Sequence, residues 1–266
     1  MIKKRYFITL SYRGSRYHGW QIQPNAVSVQ ATLEGAIATI LRQNIALTGC
    51  GRTDTGVHAG YYVAHFDAEG DLPIRFLNGL NSLLPEDIAV YSIQAVSPEA
   101  HARFDAYERS YAYHLSFRKD PFLTDTAWFY PQFSRLDLGN MEKTASLLPQ
   151  YASFFPFCKS DSGVEAYHCD LKNATWECLP DNRGLVFHIT ANRFLRGMVR
   201  LIVGACVQTG IGQLSVADVQ QALDMQTALP KNLSVPPHGL FLTRVLYPPT
   251  IFFDQQTASA HPTTYP

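Results

Sequence analysis

Residues 49–60 read GCGRTDTGVHAG, and the Asp54-Thr55-Gly56 triplet inside them is compatible with two opposed folds. A second triplet of the same type, Asp161-Ser162-Gly163, lies further along the chain. Two such triplets are what a two-lobed, all-β aspartic protease would show, and that chemistry needs two carboxylates about 3 Å apart sharing one proton. Here Asp54 follows Arg52-Thr53 and Asp161 follows Lys159-Ser160, so each approach carries a cation. A cation beside a carboxylate favours its charged form and spoils a shared proton. The arginine suits the opposite need, an ionised aspartate acting as nucleophile or electrostatic stabiliser. Asp-Ser-Gly is also a common turn sequence, so the second triplet reads as coincidence, while Asp54 itself has the alternative of merely building an Asx-turn.

Apolar periodicity on either side of the loop is that of an α+β chain. Residues 5–12 alternate as a strand. Residues 29–41 place Val29, Leu33, Ile37, Ile40 and Leu41 on one helical face, with Ser28 as the candidate N-cap. Strands follow at about 45–50 and 61–67, a helix at about 74–84 ended by Pro85, and a strand at 88–96. The second half repeats this order: a strand at 107–117, a helix at about 137–148, strands at about 170–178 and 184–191, helices at about 194–208 and 216–224, and a strand at 239–247. Each half therefore reads as a split β-α-β unit of the ferredoxin-like type, the two sharing a largely antiparallel sheet. The expected organisation is an N-terminal half of residues 1–104 carrying the Asp54 loop, a C-terminal half of residues 105–247, and a poorly ordered tail of residues 248–266, rich in Pro, Thr and Ser.

Bulk composition narrows the class further. The 266 residues are 46% hydrophobic and 12% aromatic, enough for a substantial core. Lys+Arg and Asp+Glu balance at 22 each, so the total charge neither suggests nor excludes nucleic acid. The distribution says more. Residues 1–33 carry Lys3, Lys4, Arg5, Arg13 and Arg16 without an acid, and residues 182–217 carry Arg183, Arg193, Arg196 and Arg200 without one, so two basic surfaces are expected. Five widely spaced cysteines without a C-x-x-C pair disfavour a disulfide framework and a zinc knuckle, and fit a reducing compartment. The first twenty residues hold too short an apolar stretch for a signal peptide, and no run approaches the roughly 18 apolar residues of a membrane span. A cytoplasmic location without membrane partners is the expectation.

The Asp54 loop and four further ordered motifs carry a resemblance. Gly51-Arg52-Thr53-Asp54-Thr55-Gly56-Val57-His58-Ala59 resembles the catalytic loop of the TruA family of tRNA pseudouridine synthases. Tyr17-His18-Gly19-Trp20-Gln21 resembles that family's N-terminal strand and loop, and His101-Ala102-Arg103-Phe104 with Arg109-Ser110-Tyr111-Ala112-Tyr113 its second motif. Asn192 to Arg200 (NRFLRGMVR) resembles the third, and Pro237-His238-Gly239-Leu240 the last. The resemblance implies a pseudouridine synthase fold with an RNA-binding cleft, and isomerisation of uridine to pseudouridine at positions 38, 39 and 40 of the tRNA anticodon stem-loop. It further implies a homodimer with no metal or organic cofactor. It carries the nucleophile role to Asp54, a base-contacting role to Tyr111, and carboxylate-pairing roles to Arg200 and Arg52. Thr55 stands where the family usually has alanine, Ile22 where an arginine is frequent, and Ala152-Ser153 where His-Asp is frequent.

Each residue has a plainer reading beside the functional one. Arg193, Arg196 and Arg200 follow i, i+3, i+7 spacing near the start of the expected helix, which is compatible with one shared face from which Arg200 turns inward while the others hold phosphates. Tyr107, Tyr111 and Tyr113 have one parity and share a sheet face, so Tyr111 has the alternative of an ordinary strand tyrosine. His58 reads as a structural hydrogen-bonding group, and Gly197 and Gly239 as sites of close backbone packing. A non-catalytic RNA-binding module is the alternative function, against which the joint presence of Asp54, Arg52, Tyr111 and Arg200 argues.

Overall fold

The computed structural model describes residues 3–159, 166–229 and 233–252. The second Asp-Ser-Gly triplet and residues 253–266 of the expected tail lie outside the described residues. Contacts divide the chain into one unit of Met1–Glu108 with Leu242–Pro266 and a second of Arg109–Phe241.

In the first unit the order is β1 (Lys3–Tyr12), α1 (Val29–Leu41), β2 (Thr48–Gly49), β3 (His58–Glu69), α2 (Phe76–Leu83) and β4 (Ile88–Val96). β1 runs antiparallel between β3 and β4, with Phe7 opposite His65 on one side and Gln94 on the other. β2 adds to β3 through Thr48↔His65 and Gly49↔Ala64, which gives the antiparallel order β4-β1-β3-β2. Helix α1 begins where the Ser28 hydroxyl accepts the Ala31 N–H at 3.2 Å. It buries Val29, Leu33 and Ile37 fully, while Ile40 and Leu41 remain half-exposed. The expected strand at 45–50 shrinks to two residues because α1 side chains take the preceding backbone groups. Glu34 accepts the Leu47 N–H at 2.7 Å, and Gln30 donates to the Leu47 carbonyl at 3.0 Å.

The second unit contains β5 (Glu108–Ser116, from its second residue), β6 (Trp128–Phe129), α3 (Leu138–Leu147), β7 (Leu171–Cys178), β8 (Gly184–Ala191), α4 (Met198–Gly210) and α5 (Val216–Met225). β8 lies antiparallel between β5 and β7, and the short β6, not anticipated from the sequence, joins β5 in parallel. Ten residues of α4 are buried, so it is the core helix of this unit rather than an amphipathic surface helix. Its glycines allow close approach: a Cβ on Gly210 would stand 2.8 Å from Met141 of α3, and one on Gly204 would meet the Leu233 carbonyl.

The last strand, β9 (Leu240–Leu246), was placed with the C-terminal half by the sequence reading. Most of it groups with the first unit, where it lies beside β3. Pro248–Phe252 was assigned to a poorly ordered tail, but residues 249–251 form a turn of 3-10 helix. Phe252 bridges Val96, with its ring edge-on to Phe7 at 6.0 Å. No helix among the described residues is long and apolar enough to cross a membrane.

One buried histidine ties this unit to pH. His65 Nδ1 accepts the Ala102 N–H at 3.0 Å. Burial first, then Arg5 and His101, pull its pKa down from 6.5 to about 4, against the opposing pull of Asp67 and Asp105. The unfolded chain binds this proton more readily, so the stability contribution is complete above about pH 6.5 and is lost as pH falls towards 4. Between pH 7.5 and 4.5, urea unfolding of the native chain is expected to lose about 2–3 kcal/mol more than that of His65→Asn. Equal losses in the two proteins would contradict the assignment.

Candidate active site

The loop between β2 and β3 is held from three sides. Beneath it lies an aromatic floor of Tyr12, Trp20 and Tyr62, all buried, with Trp20 and Tyr62 stacked at 4.1 Å. Tyr62 donates its hydroxyl to the Gly51 carbonyl, and Tyr12 shares a 2.9 Å hydrogen bond with the Thr53 hydroxyl. Gly49 is where the chain crosses this floor, since a Cβ there would stand 2.0 Å from the Tyr62 oxygen and 2.6 Å from the Trp20 nitrogen.

Against the flank of the loop runs the segment Gly14–Trp20. Trp20 N–H donates to the Thr53 carbonyl at 3.3 Å, and Gly56 N–H donates to the Tyr17 carbonyl at 3.3 Å. Gly14 N–H donates to His58 Nδ1 at 3.0 Å, so the buried His58 serves as a structural acceptor at the start of β3. Two glycines make this approach possible. A Cβ on Gly14 would lie 2.0 Å from the Val57 carbonyl oxygen, and one on Gly19, whose φ is +87°, would lie 2.3 Å from the Thr53 carbonyl oxygen.

The segment is itself anchored by Asp87, which follows α2. One carboxylate oxygen accepts the Tyr17 hydroxyl and the other the Arg16 Nε–H, each at 2.7 Å, while the Asp87 carbonyl accepts the Arg13 N–H at 2.9 Å. Burial and the Asp87 contact push the Tyr17 phenol well above its ordinary range, so it stays a hydrogen-bond donor. Held this way, the loop leaves three side chains towards solvent: Arg52 and Thr55 exposed, and Asp54 half-buried. Arg52 makes no ion pair among the described residues. Sequence reasoning flagged Gly19 and Trp20 within a motif but missed the floor tyrosines and Asp87, whose partners lie 41, 11 and 70 residues away in the chain.

The other two candidate residues belong to the second unit. Tyr111 stands opposite Ile189 in the β5–β8 ladder, half-exposed, with its ring edge-on to Phe194 at 5.1 Å. Tyr113, on the same face, is fully buried and donates to the Pro236 carbonyl at 2.9 Å, so the shared parity yields one core tyrosine and one accessible one. Gly239 packs against that ring, where a Cβ would meet Tyr113 at 2.8 Å. Arg200 lies in the first turn of α4, and its Nε donates to the Val235 carbonyl at 2.7 Å.

The expected single face for Arg193, Arg196 and Arg200 is corrected. Helix α4 begins at Met198, after Gly197 turns in the left-handed region at φ +72°, so Arg193 and Arg196 lie in the loop before it. Gly197 thus serves the turn rather than close packing, since a Cβ there would come no nearer than 3.5 Å, to Lys159. The same loop collects charge: Lys159 N–H donates to the Arg196 carbonyl at 3.1 Å, and Lys159, Arg193 and Arg196 are all exposed without an ion pair among the described residues.

The N-terminal basic run behaves differently. Lys4 pairs with Asp71, Arg16 with Asp87, and Arg5 makes a two-pronged contact with Asp67 at 2.8 Å per bond. It is therefore largely neutralised by acids distant in sequence.

If the glycine-lined flank fixes the loop, Gly14→Ala should lower the unfolding free energy by about 1–3 kcal/mol through overpacking. Urea denaturation checks the stability, and the His58 ring resonances, read by NMR, should shift with the lost Gly14 hydrogen bond. Unchanged stability and resonances would contradict this packing.

Comparison with known proteins follows the same residues. A family model described as tRNA pseudouridine synthase matches residues 152–248. A protein from Porphyromonas gingivalis named tRNA pseudouridine synthase A is 45% identical over 93% of this chain and 99% of its own length. Proteins of the same name from Bacteroides fragilis, 44% identical over 95% and 100%, and Neisseria meningitidis serogroup C, 41% identical over 92% and 93%, are similar over comparable spans.

Proposed function

The chain belongs to the tRNA pseudouridine synthase family, and we propose that it acts on uridines 38, 39 and 40 of the tRNA anticodon stem-loop, with Asp54 as its nucleophile. It is an isomerase converting uridine to pseudouridine in tRNA. The assignment of the reactive group rests on one observation above the rest: the loop is fixed by backbone and floor contacts, yet Asp54 stays half-exposed.

The reaction breaks the N-glycosidic bond, turns the uracil, rejoins ribose C1′ to C5 and releases the C5 proton. An ionised carboxylate serves each available route, whether by attack on C1′, removal of a sugar proton to give a glycal, or addition to uracil C6. A fixed loop matters because a misplacement near 1 Å can cost on the order of 100-fold in rate. Arg200, whose Nε is held by the Val235 carbonyl, and the exposed Arg52 are the two cations that the family motifs assign to the carboxylate. Tyr111 offers an accessible ring for the flipped base. Stacking worth about 1–3 kcal/mol offsets much of a flipping cost of a few kcal/mol. The antiparallel β4-β1-β3-β2 order of the first unit supports a ferredoxin-like reading of that half. A cytoplasmic homodimer completes the proposal.

Two experiments test it. Tritium release from tRNA labelled at uridine C5 is expected with the native enzyme and not with Asp54→Ala, while Tyr111→Phe slows turnover far more than it weakens tRNA binding. Release by Asp54→Ala would remove the nucleophile assignment. For phosphate binding, Arg193→Gln and Arg196→Gln should each reduce the slope of log K against log salt by about 0.7–0.9, whereas Arg16→Gln should leave it unchanged. The reverse pattern would place the RNA on the N-terminal run.

A further inference from the structure

The motif His101-Ala102-Arg103-Phe104 takes no part in the chemistry above, yet the structure builds it with care. Phe104 is 74% exposed, although single exposed aromatics are ordinary. What sets it apart is that its loop is braced almost atom by atom. Ala102 N–H donates to His65 Nδ1 at 3.0 Å, and the Ala102 carbonyl accepts the Tyr247 hydroxyl at 2.6 Å. His101 N–H donates to Asp105 at 2.7 Å, and the Arg103 and Phe104 N–H groups both turn to His101 Nδ1, at 3.1 and 3.3 Å. A loop tied this firmly holds its exposed ring in one place.

The rings form a column. His65 meets His101 edge-on at 4.8 Å, and His101 lies against Phe104 at 4.2 Å with 32° between the planes. Burial keeps both imidazoles below their ordinary pKa, in agreement with their roles as neutral acceptors. The Arg103 guanidinium lies over the Phe104 ring, 5.7 Å from its centre. An apolar protein partner would require a contiguous apolar patch, whereas the immediate neighbours here are His101, Arg103 and Asp105. A pre-positioned, exposed aromatic ring with a cation over it matches an unpaired nucleobase and its phosphate.

We propose that Phe104, on its braced loop, is a stacking platform for an unpaired nucleobase of the tRNA, with Arg103 contacting the adjoining phosphate. The platform is a binding element separate from the reacting uridine's own contacts, and it rests on the assignment of tRNA as substrate. Because the ring is exposed, its replacement leaves the core intact.

The test compares the native enzyme with Phe104→Ala and Phe104→Trp at fixed salt, using a full-length tRNA transcript, heparin as a polyanion without bases, and sedimentation to read the oligomeric state. Phe104→Ala is expected to weaken tRNA binding about 10- to 100-fold. Heparin affinity, salt slope and oligomeric state should stay unchanged, and Phe104→Trp should restore binding. Native tRNA affinity in Phe104→Ala, failure of Trp to rescue, or conversion of a dimer to monomers would each overturn the platform, the last by making Phe104 a contact between copies. C5 tritium release by the native enzyme, run in parallel, separates the two claims. Absent release with Phe104-dependent binding removes the isomerase reading and leaves the platform standing.

Discussion

The close approach of Gly14–Trp20 to the loop carrying Asp54 is the constraint on which the site depends. Two backbone segments meet with carbonyl oxygens 2.0 and 2.3 Å from where glycine side chains would begin. No other residue fits there without moving the loop. That contact is supported at both ends, by the Tyr12-Trp20-Tyr62 floor beneath and by the Asp87 carboxylate behind. The strands serve the same purpose: β1 delivers Tyr12 and then Gly14, β3 delivers His58 and Tyr62, and α2 leads into Asp87. Asp54 stays half-exposed on a loop whose order comes from backbone and floor contacts.

Much of this was legible in the chain. The α1 face of Val29, Leu33 and Ile37 and its Ser28 cap follow from spacing and cap chemistry alone, and β8 matches its expected span. Asp54, Arg52, Tyr111 and Arg200 all lie in motifs visible in the sequence alone. What escaped the sequence has long-range causes. The start of α4 was misjudged because Phe194 and Leu195 continue an apolar helical spacing, while the left-handed turn at Gly197 breaks it. The expected strand before the Asp54 loop is too long because Glu34 and Gln30, 13 and 17 residues earlier, intercept the Leu47 backbone.

Charge shows the same limit. Residues 1–33 hold no acid, so any local window reads them as a basic surface. In the fold, Asp67, Asp71 and Asp87 return to Arg5, Lys4 and Arg16. The exposed, unpaired cations among the described residues include Lys159, Arg193 and Arg196, which a turn brings together from two parts of the chain. A neutral protein can thus carry a local basic surface, and its location is a tertiary fact rather than a compositional one.

The central proposal is that the backbone fit between Gly14–Trp20 and this loop places Asp54 for reaction. It is tested most directly by the single-turnover rate of Gly19→Ala at saturating tRNA, with binding measured alongside. A methyl group directed at the Thr53 carbonyl displaces the loop, and the account predicts a rate lower by on the order of 100-fold with tRNA affinity retained. A native rate in a folded Gly19→Ala enzyme would contradict it.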